Sequence, residues 1–329
     1  MMRPLAAALL GLAALHLLWL ALAIGPAAIG PLDALQALVG TGPEDARAIV
    51  RGVRLPRALG ALVVGAGLGA SGAALQGFTR NDLAAPGLLG FSACAALGAV
   101  LALYFGLGWA VMPGALAGAA AGAAATAAMA RRQVGAGWLI LAGIGVGALA
   151  TALTGLAMNM APNPWALSEL TYWMMGSLGQ ADASQLLLAA PLTGLGLAAL
   201  LRLGRDLRAL SLGEDVAASL GVDLRATQGW LIAGTALCIG AGVAMAGAIG
   251  FVGLFVPHII RRLPLVLGGT ADPGALVGRS AVLGAVFLLA TDTLLRATAG
   301  PGTPLYLGIV TALIGVPFFL YLAVRGTAA

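Results

Sequence analysis

Charge is the scarcest property of this 329-residue sequence. Asp, Glu, Lys and Arg together make up 9% of it, and all seventeen basic residues are arginine. Ordinary soluble domains carry about 25% charged residues. The arginines are not interleaved with aromatic side chains, which make up only 5% of the sequence. The net charge of +5 therefore does not indicate a nucleic-acid-binding surface.

Groups that carry out chemistry are also few. The sequence has two cysteines and two histidines, and no metal-ligand spacing joins them. Cys94 and Cys238 lie within apolar runs, which predicts packing roles rather than a disulfide. The glycine-rich run at 65–69 lacks the lysine of a phosphate-binding loop. We therefore expect no catalytic residues, no metal site, no bound cofactor and no ATP hydrolysis by this chain itself.

What the sequence has in abundance is apolar length. Hydrophobic residues make up 60% of it and the mean hydropathy is +1.01. A membrane-spanning helix needs about 20 apolar residues, whereas a barrel strand is about half that length and alternates polar with apolar positions. We predict an all-α integral membrane protein, a single transmembrane domain over 1–329 with about ten spans: 5–24, 56–77, 88–106, 109–129, 138–158, 185–203, 228–248, 250–263, 276–297 and 305–324.

The arginines indicate the orientation. With the N-terminus in the cytoplasm, twelve of the seventeen arginines lie in inner loops or at inner ends of spans. This is the bias that the positive-inside rule describes. Both termini are then cytoplasmic, in a multi-pass protein of a bacterial inner (plasma) membrane. The first apolar run, 5–24, is longer than the core of a secretory signal, which predicts a retained membrane helix.

Four segments are predicted to depart from simple spans. Residues 31–38 have the amphipathic pattern of a short helix at the outer surface. Residues 161–184 are too apolar for a solvated loop and too short to span, which favours a re-entrant or half-buried helix. Pro257 indicates that the span 250–263 is broken or tilted. In the inner loop 204–227, a serine, early acidic residues and a late glycine predict a capped amphipathic helix over 211–222.

Seven motifs follow one another along almost the whole chain. They are Arg54-Leu55-Pro56-Arg57, Ser71-Gly72-Ala73-Ala74-Leu75-Gln76-Gly77, Arg80-Asn81 with Pro86-Gly87-Leu88-Leu89-Gly90, Trp173-Met174-Met175-Gly176-Ser177-Leu178, Gly213-Glu214 with Ala218-Ser219-Leu220-Gly221-Val222, Gly250-Phe251-Val252-Gly253-Leu254 with Pro257-His258, and Gly308-Ile309-Val310-Thr311-Ala312-Leu313-Ile314-Gly315. In this order they resemble the FecCD-type permeases, the membrane subunits of type II ATP-binding-cassette (ABC) importers for ferric siderophores, heme and cobalamin.

The resemblance implies a cobalamin-permease-like helical bundle and a set of partners. A second permease copy, expected to make a homodimer, would complete the transport path. Two copies of a cytoplasmic ABC ATPase would bind the ATP and Mg, and a periplasmic binding protein would deliver the ligand. The chain would then be a transport subunit and not an enzyme. Its cargo is expected to be a metal chelate, heme or a ferric siderophore in iron transport, with cobalamin as the alternative.

The resemblance also implies roles for individual residues. Arg54, Arg57 and Arg296 would pair with glutamates of the binding protein, with ordinary anchoring at the lipid headgroups as the alternative. Independently of the resemblance, Asp292 lies four residues before Arg296, a spacing that allows an intrahelical pair. The helix over 211–222 would be the coupling helix that contacts the ATPase, through Gly213, Glu214, Asp215, Ser219, Leu220 and Gly221.

Two further groups of residues leave alternatives open. A cluster of methionines and tryptophans at the outer segment either lines the translocation path or fills gaps: Met158, Met160, Trp165, Trp173, Met174 and Met175. His258 lies near the inner end and is expected to be a packing residue rather than a heme ligand.

The sequence departs from the family pattern in two places. It has Asp82 but Ala85 in the inner loop where the family carries an acid before the proline, so that any role of this acid is moved to Asp82 or lost. Pro304-Leu305-Tyr306 replaces a Glu-Leu-Pro at the outer rim.

An ion-coupled secondary transporter is the main rival function. Such a transporter needs ionisable groups within the membrane, and Asp292 is the one acid that lies clearly inside a span. A membrane-embedded enzyme is less well supported, because no pair of catalytic groups lies together.

Overall fold

The computed structural model describes residues 4–131, 134–264, 269–298 and 305–326, and the side chains of all of these except 4–10 and 321–326. Within these ranges the chain has no strand, and its fifteen α-helices are α1 Pro4–Ala23, α2 Pro31–Val39, α3 Glu44–Ile49, α4 Leu55–Thr79, α5 Phe91–Tyr104, α6 Val111–Ala130, α7 Ala136–Asn159, α8 Pro164–Met174, α9 Ala183–Arg202, α10 Gly204–Leu210, α11 Glu214–Ser219, α12 Leu224–Ala246, α13 Val252–Arg262, α14 Pro273–Thr298 and α15 Leu307–Gly326. The predicted all-α fold is confirmed.

Each of the ten predicted spans contains one helix. In the part of the chain that the structure describes, six helices are long and apolar enough to cross a membrane, α4, α6, α7, α9, α12 and α14. Shorter apolar stretches lie in α1, α5 and α15. The remaining predicted span, 250–263, holds the eleven-residue α13, which has Pro257 inside it. The expectation of a short helix there is confirmed, whereas a break is wrong, because α13 runs without interruption from Val252 to Arg262.

Helix α4 forms the centre of the bundle and packs against α14 along most of its length. A side chain at Gly65 would meet the carbonyl oxygen of Gly284, and one at Gly69 would meet that of Ser280. Small residues let helix backbones approach closely where lipid provides no hydrophobic drive between helices. The two helices are antiparallel, because Arg57 at the start of α4 meets Asp292 near the end of α14.

Helix α12 covers another side of α4, also antiparallel to it. A side chain at Gly60 would meet Met245, and one at Gly67 would meet Cys238. Cys238 and Cys94 are free and buried, so the packing role expected for both is confirmed. We name the two ends of the bundle after the residues that begin and follow α4: the Arg57 end and the Arg80 end.

Two short helices at the Arg57 end match the sequence predictions. Helix α2 buries Ala34 and Ala37 and exposes the apolar Leu32 and Val39, as an amphipathic surface helix does. Helix α8 lies within the segment 161–184, begins at the Asn163 cap and buries Leu170. This is the half-buried helix that the sequence predicted.

Candidate functional site

Three arginines and one carboxylate form a cluster at the Arg57 end. The Asp292 side chain is fully buried. Arg57 donates from Nε to both Asp292 oxygens at 3.0 Å and from Nη2 to Oδ1 at 2.8 Å. Arg296 donates from Nε to Asp292 Oδ2 at 3.1 Å. The intrahelical pair expected from the four-residue spacing is confirmed, and Arg57 joins it from α4.

Arg54 and Arg296 also hold the end of α1. Arg54 Nη1 donates to the carbonyl oxygens of Leu22 and Ala23 at 2.8 and 2.7 Å, and its Nη2 donates to that of Ala27 at 2.6 Å. Arg296 Nη1 donates to the carbonyl oxygens of Ala21 and Ile24. The last carbonyls of a helix have no partner within it, and cations favour that end of the helix dipole. These two arginines therefore satisfy the end of α1.

This geometry changes how the expected docking set is understood. Arg54 is 4% exposed and Arg296 is 8% exposed, and both are hydrogen-bonded inside the protein. The Arg57 side chain is 21% exposed. In this structure, Arg57 is thus the most accessible of the three predicted docking arginines to an external carboxylate. The docking role itself stays a prediction.

An apolar pocket of about 520 Å³ lies between the end of α8 and the first half of α15. Known small-molecule pockets have volumes of roughly 300–1,000 Å³. Among the residues that the structure describes, no charged side chain lines the pocket. Its walls are Met174, Met175, Ala248, Gly308, Ile309, Ala312, Leu313, Val316 and Pro317. A surface of this kind contacts a large ligand through dispersion forces and offers no ion pair to retain it.

Three glycines form the floor beside this pocket, where α8, α12 and α15 meet. Side chains at Gly176 and Gly308 would both meet the carbonyl oxygen of Ala248, and one at Gly247 would meet that of Trp173. Gly176 and Gly247 also have positive φ angles, of 72° and 66°. We call Gly176, Gly247 and Gly308 the glycine junction. Its backbones pack directly on one another, which only residues without a side chain permit.

The structure separates the residues that the sequence grouped as the translocation path. Met174 and Met175 line the pocket. Met158 packs against a small cluster around Leu170, and Trp173 packs against the main core. Met160 and Trp165 are 59% and 85% exposed and lie outside the pocket lining. The path role of these residues is therefore supported by the pocket for Met174 and Met175 and stays a prediction for the others.

Most of the pocket wall was missed by sequence reasoning. It comes from α15, where Ile309, Leu313 and Val316 are exposed although no charged residue marks that face. Spacings of four and three residues place these side chains on one side of the helix. At the rim, Tyr306 stacks on Tyr172 with ring centroids 5.9 Å apart and an interplanar angle of 9°. The residue that departs from the family pattern thus joins α8 to the segment before α15.

The predicted coupling segment is present at the Arg80 end as two short helices, α10 and α11. The helix predicted over 211–222 is confirmed only for Glu214–Ser219, and the predicted serine cap is wrong. The Ser211 hydroxyl donates to the Arg208 carbonyl oxygen, while Gly213 precedes α11 without a side-chain cap. The glycine ending is confirmed, because Gly221 follows α11 with a φ angle of 84°.

Apolar side chains of this segment point to solvent. Leu212, Val216 and Leu220 are 64%, 43% and 63% exposed, whereas Ala217 is fully buried against the protein. Exposed apolar side chains grouped on and beside a short helix are typical of a protein contact surface. The contact residues expected from the family resemblance, Gly213, Glu214, Asp215, Ser219, Leu220 and Gly221, all lie on α11 or next to it.

Polar contacts join the coupling segment to the membrane helices. Arg208 on α10 donates from Nε to the Asp272 carboxylate at 2.8 and 3.1 Å. Asp272 also accepts from the Gly274 amide, which caps the start of α14. The hydrogen bond from Arg208 lowers the pKa of Asp272 below its ordinary value. A second ion pair joins Glu214 on α11 to Arg80 after α4, at 3.7 Å.

Asp82, where the sequence departs from the family pattern, forms an ion pair in the structure. Arg261 of α13 pairs with Asp82 at 3.2 Å and donates to the Gln76 side chain of α4 at 2.7 Å. The acid therefore ties the loop after α4 to the last turn of α13, beside the coupling segment.

His258 packs against Phe318, with ring centroids 5.7 Å apart and nearly perpendicular planes. It lies at the Arg80 end among Asp82, Leu254 and Phe255, which agrees with the packing role predicted for it. Among the described residues, no group of three or more His, Cys, Asp or Glu side chains is placed to hold a metal ion.

Comparison with known proteins gives a consistent result. The FecCD transport family profile matches residues 12–325. The cobalamin import system permease protein BtuC of Halobacterium salinarum is 42% identical over 285 residues, covering 85% of this chain and 74% of that protein. The vitamin B12 import system permease protein BtuC of Salmonella typhimurium is 37% identical over 277 residues, covering 83% and 82%.

A solved structure has the same fold. It is assigned to the metal-chelate type of ABC transporters, in an inward-facing conformation, and matches 98% of this chain and 100% of its own with a TM-score of 0.85 and 30% identity.

Proposed function

This chain belongs to the FecCD transport family and is the permease subunit of an ABC importer. From that premise we propose that its cargo is a cobalt corrinoid of the cobalamin type. The observation that carries the proposal is the similarity to two cobalamin permeases, over more than four fifths of this chain in each case. Heme or a ferric siderophore is the second candidate, because the matching solved structure is assigned to metal-chelate transporters in general.

The apolar pocket supports a path for a large chelate. Its wall of methionine and aliphatic side chains from α8 and α15 offers contact without charge pairing. A transported ligand has to leave as readily as it enters, so a surface without a strong polar anchor suits a passage better than a storage site. Selection among chelates would then rest mainly on the binding protein.

A second copy of the chain would complete this path. The face of α15 beside the pocket is exposed and apolar, with Leu313 68% exposed and Leu320 57% exposed. Two such faces brought together by a two-fold axis would enclose a passage lined by both copies. The homodimer expected from the sequence thus remains the proposed assembly, surrounded by membrane lipid.

The Arg57 end would face the binding protein and the Arg80 end would face the ATPases. At the Arg80 end, Leu212, Val216 and Leu220 would insert into the ATPase surface. ATP binding and hydrolysis on that partner, with its Mg, would move α10 and α11, and the Arg208–Asp272 contact would pass this movement to α14. Movement of packed helices as rigid bodies is a common device of transporters.

Reconstituted transport tests the proposal. Proteoliposomes containing this chain, its ATPase and its binding protein would be supplied with labelled cyanocobalamin, heme and a ferric siderophore in parallel. We expect ATP-dependent uptake of cyanocobalamin that requires all three proteins. Uptake of heme or the siderophore alone would transfer the proposal to that chelate, and uptake by this chain alone under an ion gradient would overturn the ABC mechanism.

A further inference from the structure

We propose that Asp292 competes with the docking partner for Arg57, so that docking requires Arg57 to exchange an internal carboxylate for an external one. The inference rests on the proposed function, because it takes the partner to be a binding protein that presents a carboxylate. It adds a regulated step to that contact and separates the three arginines into two anchors and one exchanging group.

Arg57 is the member of the cluster that is able to move. Arg54 and Arg296 are each fixed by backbone carbonyl oxygens of α1 and of the residues after it. All hydrogen bonds of the Arg57 side chain within the described residues go to Asp292, and its Nη1 makes none. Nη1 lies beside Gly179 in the loop after α8, and the side chain is 21% exposed. An external carboxylate therefore reaches Arg57 without displacing the anchors of α1.

The charges of the cluster favour a carboxylate-bearing partner. Two guanidinium groups contact the buried Asp292 carboxylate, and the charge of Arg54 acts on Arg296 as well. The three arginines and one carboxylate of this cluster leave an excess of positive charge around Arg57. Charge pairs in a partly buried setting interact more strongly than the same pairs in water. Arginine also suits carboxylate recognition because its fork donates two parallel hydrogen bonds.

Asp292 remains paired when Arg57 leaves it. Arg296 Nε continues to donate to Oδ2 at 3.1 Å. Removing the only partner of a buried charge is strongly unfavourable, whereas removing one of two is less so. A carboxylate of the docking partner can therefore compete with Asp292 for Arg57. Arg296 is a positioning residue, because its hydrogen bond keeps Asp292 paired during the exchange.

The exchange has a consequence for the bundle. Arg57 begins α4 and Asp292 lies near the end of α14, so that this contact ties together the two helices that pack most closely. Docking at Arg57 would release that tie at one end of the pair. The other end of α14 begins at Asp272, which contacts α10 of the coupling segment. One end of the α4–α14 pair would then respond to the binding protein, and the other end would respond to the ATPase.

Asp292→Asn tests the competition. Asparagine has the same shape, still accepts a hydrogen bond from Arg296, and holds Arg57 less tightly. We expect the affinity of the cobalamin-loaded binding protein for the reconstituted transporter to rise roughly tenfold. The matched control is Asp45→Asn, which removes an exposed negative charge of α3 at the same end. An affinity that is unchanged or lower in folded Asp292→Asn, or a rise of the same size in Asp45→Asn, would overturn the competition.

A distance measurement covers the case in which Asp292→Asn fails to assemble. Spin labels at Val53, just before α4, and at Leu294 on α14 are 48% and 61% exposed and report the separation of these two helices at the Arg57 end. The native cysteines are buried. Binding protein added to the otherwise native complex is expected to shift this distance, and an unchanged distance would overturn the exchange. Absence of any binding to the native complex would instead reject the docking part of the proposed function.

Discussion

At the scale of single residues, the cluster at the Arg57 end shows how burial alters the role of a charge. An arginine on a membrane protein is ordinarily an anchor at the lipid headgroups or a contact for a partner. In this structure the guanidinium group of Arg54 is engaged inside the protein, because it lies against the last carbonyl oxygens of α1 and is 4% exposed. It acts as a cap for a helix that precedes it by about thirty residues.

Arg54→Ala is expected to loosen α1 rather than only to weaken docking. The change leaves three carbonyl acceptors without their charged donor, which costs roughly 3 kcal/mol of stability. We expect a thermal unfolding midpoint several degrees lower for the purified protein in detergent. Arg51→Ala is the matched control, because Arg51 bonds to a carbonyl oxygen at an exposed site. Equal midpoints for the two variants would contradict the capping role.

At the same scale, the spacing of residues along one helix predicts some contacts of Asp292 and misses others. The four-residue interval between Asp292 and Arg296 predicted their contact, because it places both on one helix face. The contact of Asp292 with Arg57 spans 235 positions. It depends on the antiparallel register of α4 and α14, which no local pattern specifies.

At the scale of helices, the contact between α10 and α14 is expected to carry movement. Asp272→Asn keeps an acceptor for the Gly274 amide, since asparagine is a good helix cap, but loses the ion pair with Arg208. We expect a severalfold lower number of ligand molecules taken up per ATP hydrolysed, with assembly unchanged. Asp206→Asn is the control, because Asp206 contacts Thr227 of α12 instead. Uptake per ATP at the native value in Asp272→Asn would exclude this contact from coupling.

The pH range of that contact follows from the lowered pKa of Asp272. Its ordinary value is 3.8 and the hydrogen bond from Arg208 lowers it. A lowered pKa means that the contribution of the contact is complete above the ordinary value and is lost as the pH falls through the folded value. Uptake per ATP is therefore expected to show no loss from this contact between pH 7 and pH 5, which transport assays across that interval would check.

The glycine junction is a second feature at the helix scale. Gly308→Ala places a methyl group against the carbonyl oxygens of Met175 and Ala248. We expect α15 to shift away from α8 and uptake to fall at least severalfold. Gly194→Ala on α9 is the control, because nothing lies within 4 Å of the added carbon there, and alanine is the better helix former. Native uptake in Gly308→Ala would show that the junction tolerates separation.

At the scale of the whole molecule, the exposed face of α15 is expected to meet its own copy. Leu313→Cys is predicted to give a covalent dimer on mild oxidation in membranes, because a two-fold axis brings equivalent residues together. The native cysteines are buried, so the unmodified chain serves as a blank. Leu187→Cys, at a 75% exposed position on α9, is the control. Cross-linking of Leu187→Cys without that of Leu313→Cys would place the interface on another face.

Composition and order of residues determined the membrane class, the ten helical segments, the short helices α2, α8 and α13, and the family. These properties follow from local physics, since an apolar run of sufficient length has to satisfy its own backbone in lipid and does so as a helix. Charge counts and turn residues then locate the ends of the spans. Each of these signals lies within a short stretch of chain.

The tertiary structure alone decided which groups meet. It placed the guanidinium groups of Arg54 and Arg296 on α1 and gave Asp292 two arginine partners. It also built most of the pocket wall from α15, whereas Met160 and Trp165, which the sequence predicted for the translocation path, lie outside the pocket lining. The physical reason is that these contacts depend on how helices far apart in sequence are aligned. That alignment is set by the close approach of glycine backbones such as Gly65 and Gly284. The acceptors for Arg54 and Arg296 are backbone carbonyl oxygens, which every residue has, so no residue type in the sequence marks them.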